Sequence, residues 1–187
     1  MQDTINQVKL DVPYHSQLLS FDNSIPAFQG CAITCVKMLM DFYQTKSNAL
    51  SVADLDKNGR NENGFTSSGW QRDYIEKLLR EEGFSVDRQD KMEWASGLYK
   101  IVDSLKQGNP VLVSIKRLFC DLQLSHMIVV TGFKQDEQGE LEGFFYHEPL
   151  ATSIESGKDK YFDIVSKKNS IGDFENYWRK MAIFVNL

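Results

Sequence analysis

The sequence predicts an α+β protein with a mainly antiparallel sheet, and two observations carry that expectation. Beyond a short opening strand, apolar residues recur at helical spacing as far as Gly108, whereas from Pro110 onward they form short runs and alternations of strand character. Helices gathered first and strands afterwards is the order of an α+β architecture, not of repeating βαβ units.

The elements follow in chain order. "VKLDVPYHSQ" opens as a short strand that Pro13 ends, and "SFDNSIPAFQG" has the Asp, Asn, Ser, Pro and Gly of a loop. In "CAITCVKMLMDFYQ" the polar residues Thr34, Lys37, Asp41 and Gln44 fall at i, i+3, i+7 and i+10. That narrow polar stripe predicts a helix buried around nearly all of its circumference, with Cys31, Cys35, Met38 and Phe42 on another face. A second helix is predicted in "WQRDYIEKLLREEGF", where Tyr74, Ile75, Leu78 and Leu79 make the apolar face and Gly83 the stop. A third lies in "WASGLYKIVDSLKQGN", with Leu98, Ile101, Val102 and Leu105 inward and Gly108 at its close. "PVLVSIKRLF", "HMIVVTGFKQD" and "LEGFFYHEP" read as strands, the last two joined through "DEQGE", and "KYFDIVS" and "MAIFVNL" add two more.

Composition excludes several classes. At 187 residues with 42% hydrophobic side chains, the chain is expected to form one domain, residues 1–187, around a sizeable core. A net charge of −5 and the lack of any basic run argue against a nucleic-acid partner. No stretch approaches the roughly 20 apolar residues of a membrane helix. "MQDTINQVKL" has neither the charged nor the apolar region of a signal peptide. The expectation is a soluble protein, cytoplasmic or exported with a leader removed. Three cysteines, Cys31, Cys35 and Cys120, cannot build a full disulfide framework, and their spacing does not suit zinc. "DLDKNGRNENGF" begins with the spacing of a calcium loop, but Phe65 stands where the twelfth-position ligand belongs; an exposed polar loop without metal is expected there.

Two readings of Cys31 are open at this point. A cysteine just after Gly30 and at the start of a helix is placed for a lowered pKa, from ~8.5 into the range of roughly 3.5–7.5 that a helix N-terminus or an imidazolium produces. It is equally placed to be a small core residue, since free cysteines are usually buried. Cys35, one turn further in, receives less of the helix dipole. The base must come from His15, His126 or His147. His126 begins a strand and Glu148 ends the next one, so on antiparallel neighbours the carboxylate can orient the imidazole, completing a Cys–His–carboxylate set. Gln17 and Gln29 both carry amides that can serve an oxyanion.

Taken in order, "LDVPYHSQ", "GCAITCVKMLMDFY", "LKQGNPVLVSI", "SHMIVVTGF" and "FYHEPL" resemble the landmarks of papain-like cysteine peptidases of family thirty-nine, and more closely its stand-alone branch. The family includes the bacteriocin-leader processing peptidases. The resemblance runs from about Leu10 to the C-terminus. It implies a papain-like fold in which the buried helix carrying Cys31 packs against the C-terminal sheet. Residue by residue, it matches Cys31 to the nucleophile, His126 to the general base, Glu148 to the orienting Asp, and Gln17, in preference to Gln29, to the oxyanion glutamine. Ser125 replaces a common glycine, and Ala32 and Ile33 stand where a small residue and a proline are usual. Glu148 is longer than Asp by one methylene, about 1.5 Å, on a scale where errors of about 1 Å count.

The resemblance implies a thiol hydrolase that acts on a peptide or amide-containing substrate through a thioester acyl-enzyme, with no metal or organic cofactor. The alternative is a catalytically inactive, peptidase-like binding module. A third reading, structural cysteines only, requires His126 to be remote from Cys31.

Overall fold

Nine strands and six helices are found among the described residues of the computed structural model, which are 7–21, 29–116, 125–163, 174 and 177–187. Cys120 lies outside them. The order is β1 (Gln7–Lys9), α1 (Gln17–Ser20), α2 (Cys31–Tyr43), α3 (Val52–Asn61), β2 (Phe65–Thr66), β3 (Gly69–Trp70), α4 (Arg72–Glu81) and β4 (Ser85–Gln89). It continues with α5 (Trp94–Lys106), β5 (Val111–Lys116), β6 (Ser125–Gln135), β7 (Leu141–His147), α6 (Ile154–Gly157), β8 (Lys160–Asp163) and β9 (Trp178–Asn186).

The expected helices form where the periodicity placed them. Residues 32–40 of α2 are all buried, including Thr34 and Lys37 of the polar stripe. Lys37 is accommodated inside by pairing with Asp41 one turn on and donating to the Asn48 carbonyl at 2.7 Å. Gly83 and Gly108 follow α4 and α5 at positive φ, the left-handed stop that a glycine adopts at least cost. Of "KYFDIVS", the first four residues form β8 and the remainder falls outside the described residues.

Three features differ from expectation. "DLDKNGRNENGF" is not an exposed loop: most of it belongs to α3, started by a capping box between Ser51 and Asp54. Its Asp56 is fully buried against Arg60 at 2.6 Å, so the apparent calcium loop is a helix face. The strand β4 and the hairpin β2–β3 were also unforeseen, because "SVDRQ" has one apolar residue and the hairpin strands have two residues each. Phe65 and Trp70 around a Ser-Ser-Gly turn were the available signal for the hairpin.

The sheet runs β4-β9-β5-β6-β7-β8, antiparallel throughout, with β1 alongside β6 beyond the end of β5. Alternation along β6 divides the interior. Met127 and Val129 join the core of α2, α3 and α4, while Ile128 and Val130 join that of α5 and Trp178. At Gly132 a Cβ would lie 2.2 Å from the Val8 carbonyl oxygen and 2.9 Å from the Lys9 Cα, so only glycine lets β1 approach. Gly132→Ala is therefore expected to cost about 1–3 kcal/mol. Urea unfolding reads it, and an unchanged midpoint would mean that β1 contributes nothing there.

Candidate active site

The site is built where the N-terminus of α2 meets the start of β6. Gly30 brings α2 close under Phe21: a Cβ on it would sit 2.1 Å from the Phe21 ring. No side chain caps α2 and no acidic residue stands in its first turn, so the positive end of the helix is left to the group beside it, Cys31. Cys35, one turn on, is completely buried and its thiol donates to the Met127 carbonyl at 3.3 Å. That bond ties α2 to β6 one residue past His126.

Cys31 is half-buried and hydrogen-bonded to His126. Burial pushes the Cys31 thiol up. The His126 hydrogen bond and charge, and the N–H groups of Met127 and Ala32, outweigh it and leave the thiol below its ordinary value. Burial likewise works against an imidazolium at His126, and the bonds and charges of Cys31 and Glu148 reverse it, raising His126 to about 9. Both shifts run in the direction that favours a thiolate beside an imidazolium. Cys35 shows the other outcome: burial, then the neighbouring Cys31 and Glu148 charges, hold it well above the ordinary value, so it stays a thiol.

Glu148 Oε1 lies 2.5 Å from His126 Nε2, which leaves Nδ1 of the ring for Cys31. The same oxygen accepts the Leu150 N–H at 2.7 Å, and this turn fixes the carboxylate. The longer side chain has a geometric reason. The β6–β7 ladder ends at Val129↔His147, and continuing it would set Leu150, not Glu148, opposite His126. A carboxylate at 148 must span a diagonal offset of about 7–8 Å, which suits Glu.

The N-terminal segment laces this turn down. Tyr14 Oη donates to the Glu148 carbonyl at 2.9 Å, the Gln17 N–H to the Pro149 carbonyl at 2.8 Å, and Ser16 Oγ to the Ala151 carbonyl at 2.5 Å. Gln17 is completely buried and is not among the residues lining the cleft at Cys31. Gln29 does line it, exposed, with its amide oxygen 3.4 Å from the Arg60 guanidinium.

The other histidines are engaged elsewhere. His15 Nε2 is 2.6 Å from Asp41, the carboxylate that also pairs with Lys37. His147 is fully buried between the Val12 carbonyl, 2.8 Å from its Nε2, and the Asp159 N–H at Nδ1, 3.1 Å away. Burial pulls its pKa down, so it is a neutral structural histidine.

The cleft beside Cys31 and His126 has a volume of about 370 Å³. Its far wall is the unforeseen hairpin, with Phe65 and Trp70, and its sheet side includes Ser114, Met127 and Met181. Trp70 donates its indole N–H to the Gln29 carbonyl at 3.0 Å, two residues before Cys31, and Arg60 lies 4.0 Å from the Phe65 ring centroid. Among the described residues there is no cluster of three or more His, Cys, Asp or Glu that could hold a metal ion. None of their helices is long and apolar enough to cross a membrane.

The model of the Peptidase_C39 like family matches residues 9–183. Among solved structures, the chain is similar to a double glycine motif protease from an AMS/PCAT transporter, in complex with the leader peptide. That likeness has 12% identity and a TM-score of 0.58, over 95% of this chain and 93% of that one. It is also similar to the peptidase domain of Streptococcus ComA, a bifunctional ABC transporter, at 16% identity and a TM-score of 0.56, over 84% of this chain and 91% of that one. At these identities the likeness is one of fold, the papain-like arrangement expected from the sequence. No curated protein matches the chain.

Proposed function

Because the chain belongs to the Peptidase_C39 like family, we propose that it is a cysteine peptidase, one domain in which Cys31 is the nucleophile, His126 the acid and base, and Glu148 the orienting carboxylate. The observation that carries this reading is the His126 ring held between the Cys31 thiol and Glu148. A dead scaffold has no physical need to keep an imidazolium buried at a helix N-terminus.

The Cys31 thiolate attacks an amide carbonyl carbon, and the charge moves to the carbonyl oxygen. The Cys31 N–H, at the uncapped start of α2, stabilises that oxyanion. Gln17 is the second donor in this proposal on its match in the family pattern alone, since it is completely buried here and does not line the cleft. Collapse breaks the C–N bond as His126 Nδ1 gives its proton to the leaving amine, and a thioester remains. The neutral imidazole then takes a proton from water, hydroxide adds to the thioester, and the thiolate leaves, which restores the ion pair. One similar structure holds a leader peptide, and a peptide is the substrate proposed here.

Two pH profiles test this. Alkylation of Cys31 by iodoacetamide should inflect below the free-thiol value of ~8.5 and should not fall at higher pH, since the thiolate persists when His126 deprotonates. Peptide hydrolysis should rise with the same group and fall through about 9, where the leaving amine loses its proton donor. Slow alkylation with an inflection at or above ~8.5 would leave a binding module on a peptidase fold.

A further inference from the structure

Resting on the peptidase reading, we infer that the cleft beside Cys31 takes the side chain of a bulky aromatic residue next to the scissile bond, with tyrosine preferred, and that Ser114 determines that preference. The floor is a row across three strands. Ser114 on β5 pairs directly with Met127 on β6 and with Met181 on β9, so the three side chains stand side by side on one face. Strands lie about 4.8 Å apart, so the row runs roughly 10 Å from the Cys31 end, where Met127 donates to the thiol, outward to Met181. A register shift next to Ser114 in the β5–β9 ladder marks the place where the sheet is bent to shape this floor.

Above the floor stand Phe65 and Trp70, edge to face with centroids 5.4 Å apart. Their wall is held in place. Gly59 leaves room for Trp70, where a Cβ would come within 2.6 Å of the indole; the indole N–H is bonded to Gln29, and Arg60 backs Phe65. The cleft of about 370 Å³ is also lined by Ser67, Ser68, Arg72 and Ser125, and it is the aromatic and thioether part of its surface that suits a flat apolar side chain. A glycine at this position would leave the slot empty.

Ser114 is the exception on the floor. It interrupts the apolar run "VLVSI", only 3% of its surface is exposed, and it lines the cleft. Its hydroxyl has no hydrogen-bond partner among the described residues, and the residue lines the cleft. A buried hydroxyl between two methionines on the floor of this cleft is suited to a partner brought in by the occupant. A phenol extending from a residue at the Cys31 end reaches the middle of the row, where Ser114 stands.

The test separates this inference from the peptidase reading by measuring binding apart from turnover. Calorimetry on Cys31→Ser with acetylated peptide amides that differ only in Gly, Leu, Phe or Tyr at one position reads the slot without catalysis. A positional library of fluorogenic peptides on the native protein reads hydrolysis. Tyr is expected to bind best and Gly worst, with a Tyr-over-Phe ratio that falls roughly tenfold in Ser114→Ala. Ser114→Phe, which fills the slot, should move the preference towards Gly. Equal or tighter binding of Gly in the unfilled slot overturns the inference, as does a Tyr-over-Phe ratio that Ser114→Ala leaves unchanged. Tyr-selective binding without hydrolysis of any library member overturns the peptidase reading and keeps the slot. Hydrolysis restricted to Gly does the reverse.

Discussion

Replacing His126 by Ala or Gln is expected to lower peptide hydrolysis by about 10⁴-fold or more, the loss usual when one member of a catalytic set is removed. It should also carry the alkylation inflection of Cys31 to or above ~8.5. The reason lies in the order of influences on the thiol. Burial, which raises it, is the largest, and the His126 hydrogen bond and charge are the next two. Without the imidazole, only the Met127 and Ala32 N–H groups oppose burial. Both variants are needed, since Ala leaves a cavity at a fully buried position while Gln fills most of it. A thermal unfolding curve on each shows whether lost activity is lost chemistry or lost fold. An inflection that stays low in a folded His126→Gln protein would mean that the helix terminus alone ionises Cys31, and the ion-pair account would fail.

Glu148→Asp is expected to lower kcat/KM by about 10²-fold, although Asp is the residue usual in the family pattern. Removing one methylene withdraws the carboxylate by about 1.5 Å, and an active site is sensitive to displacements of about 1 Å. Here the register makes the longer side chain the fitting one. The β6–β7 ladder ends at Val129↔His147, and Oε1 already sits 2.5 Å from His126 Nε2 while accepting the Leu150 N–H. A shortened carboxylate keeps one partner or the other, not both. Steady-state kinetics at neutral pH give the magnitude. The pH limb near 9 tells a positioning effect from a general loss of stability, because a weaker Glu148 contact should move it down. Activity equal to or above that of the native protein would refute the diagonal-reach account.

The sequence spoke clearly where local chemistry decides structure. The 3.6-residue pattern of α2, the glycine stops after α4 and α5, and the strand runs of β5, β6 and β7 are all properties of short segments. Cys31, His126 and Glu148 could be named because each sits at the end of such a segment, where a side chain has a definite direction. The error at "DLDKNGRNENGF" was of the same local kind. Its acidic spacing outweighed the capping box of Ser51 and Asp54, which starts a helix instead.

Local sequence therefore specifies the elements and the chemical groups at their ends. The distances between those groups, and what surrounds them, come from long-range packing. The C-terminal strand β9 inserts between β4 and β5, bringing Met181 beside Ser114 across 67 positions of chain, and no local pattern encodes that pairing. The hairpin β2–β3 becomes a cleft wall only because Trp70 bonds to Gln29 from 41 positions away. His147 and His126 are both plausible bases in the sequence. Hydrogen bonding separates them, since one ring is closed by the Val12 carbonyl and the Asp159 N–H while the other is held between a thiol and a carboxylate. Distances between distant segments arise from the packing of the whole chain, so the groups were readable from residues and their environment was not.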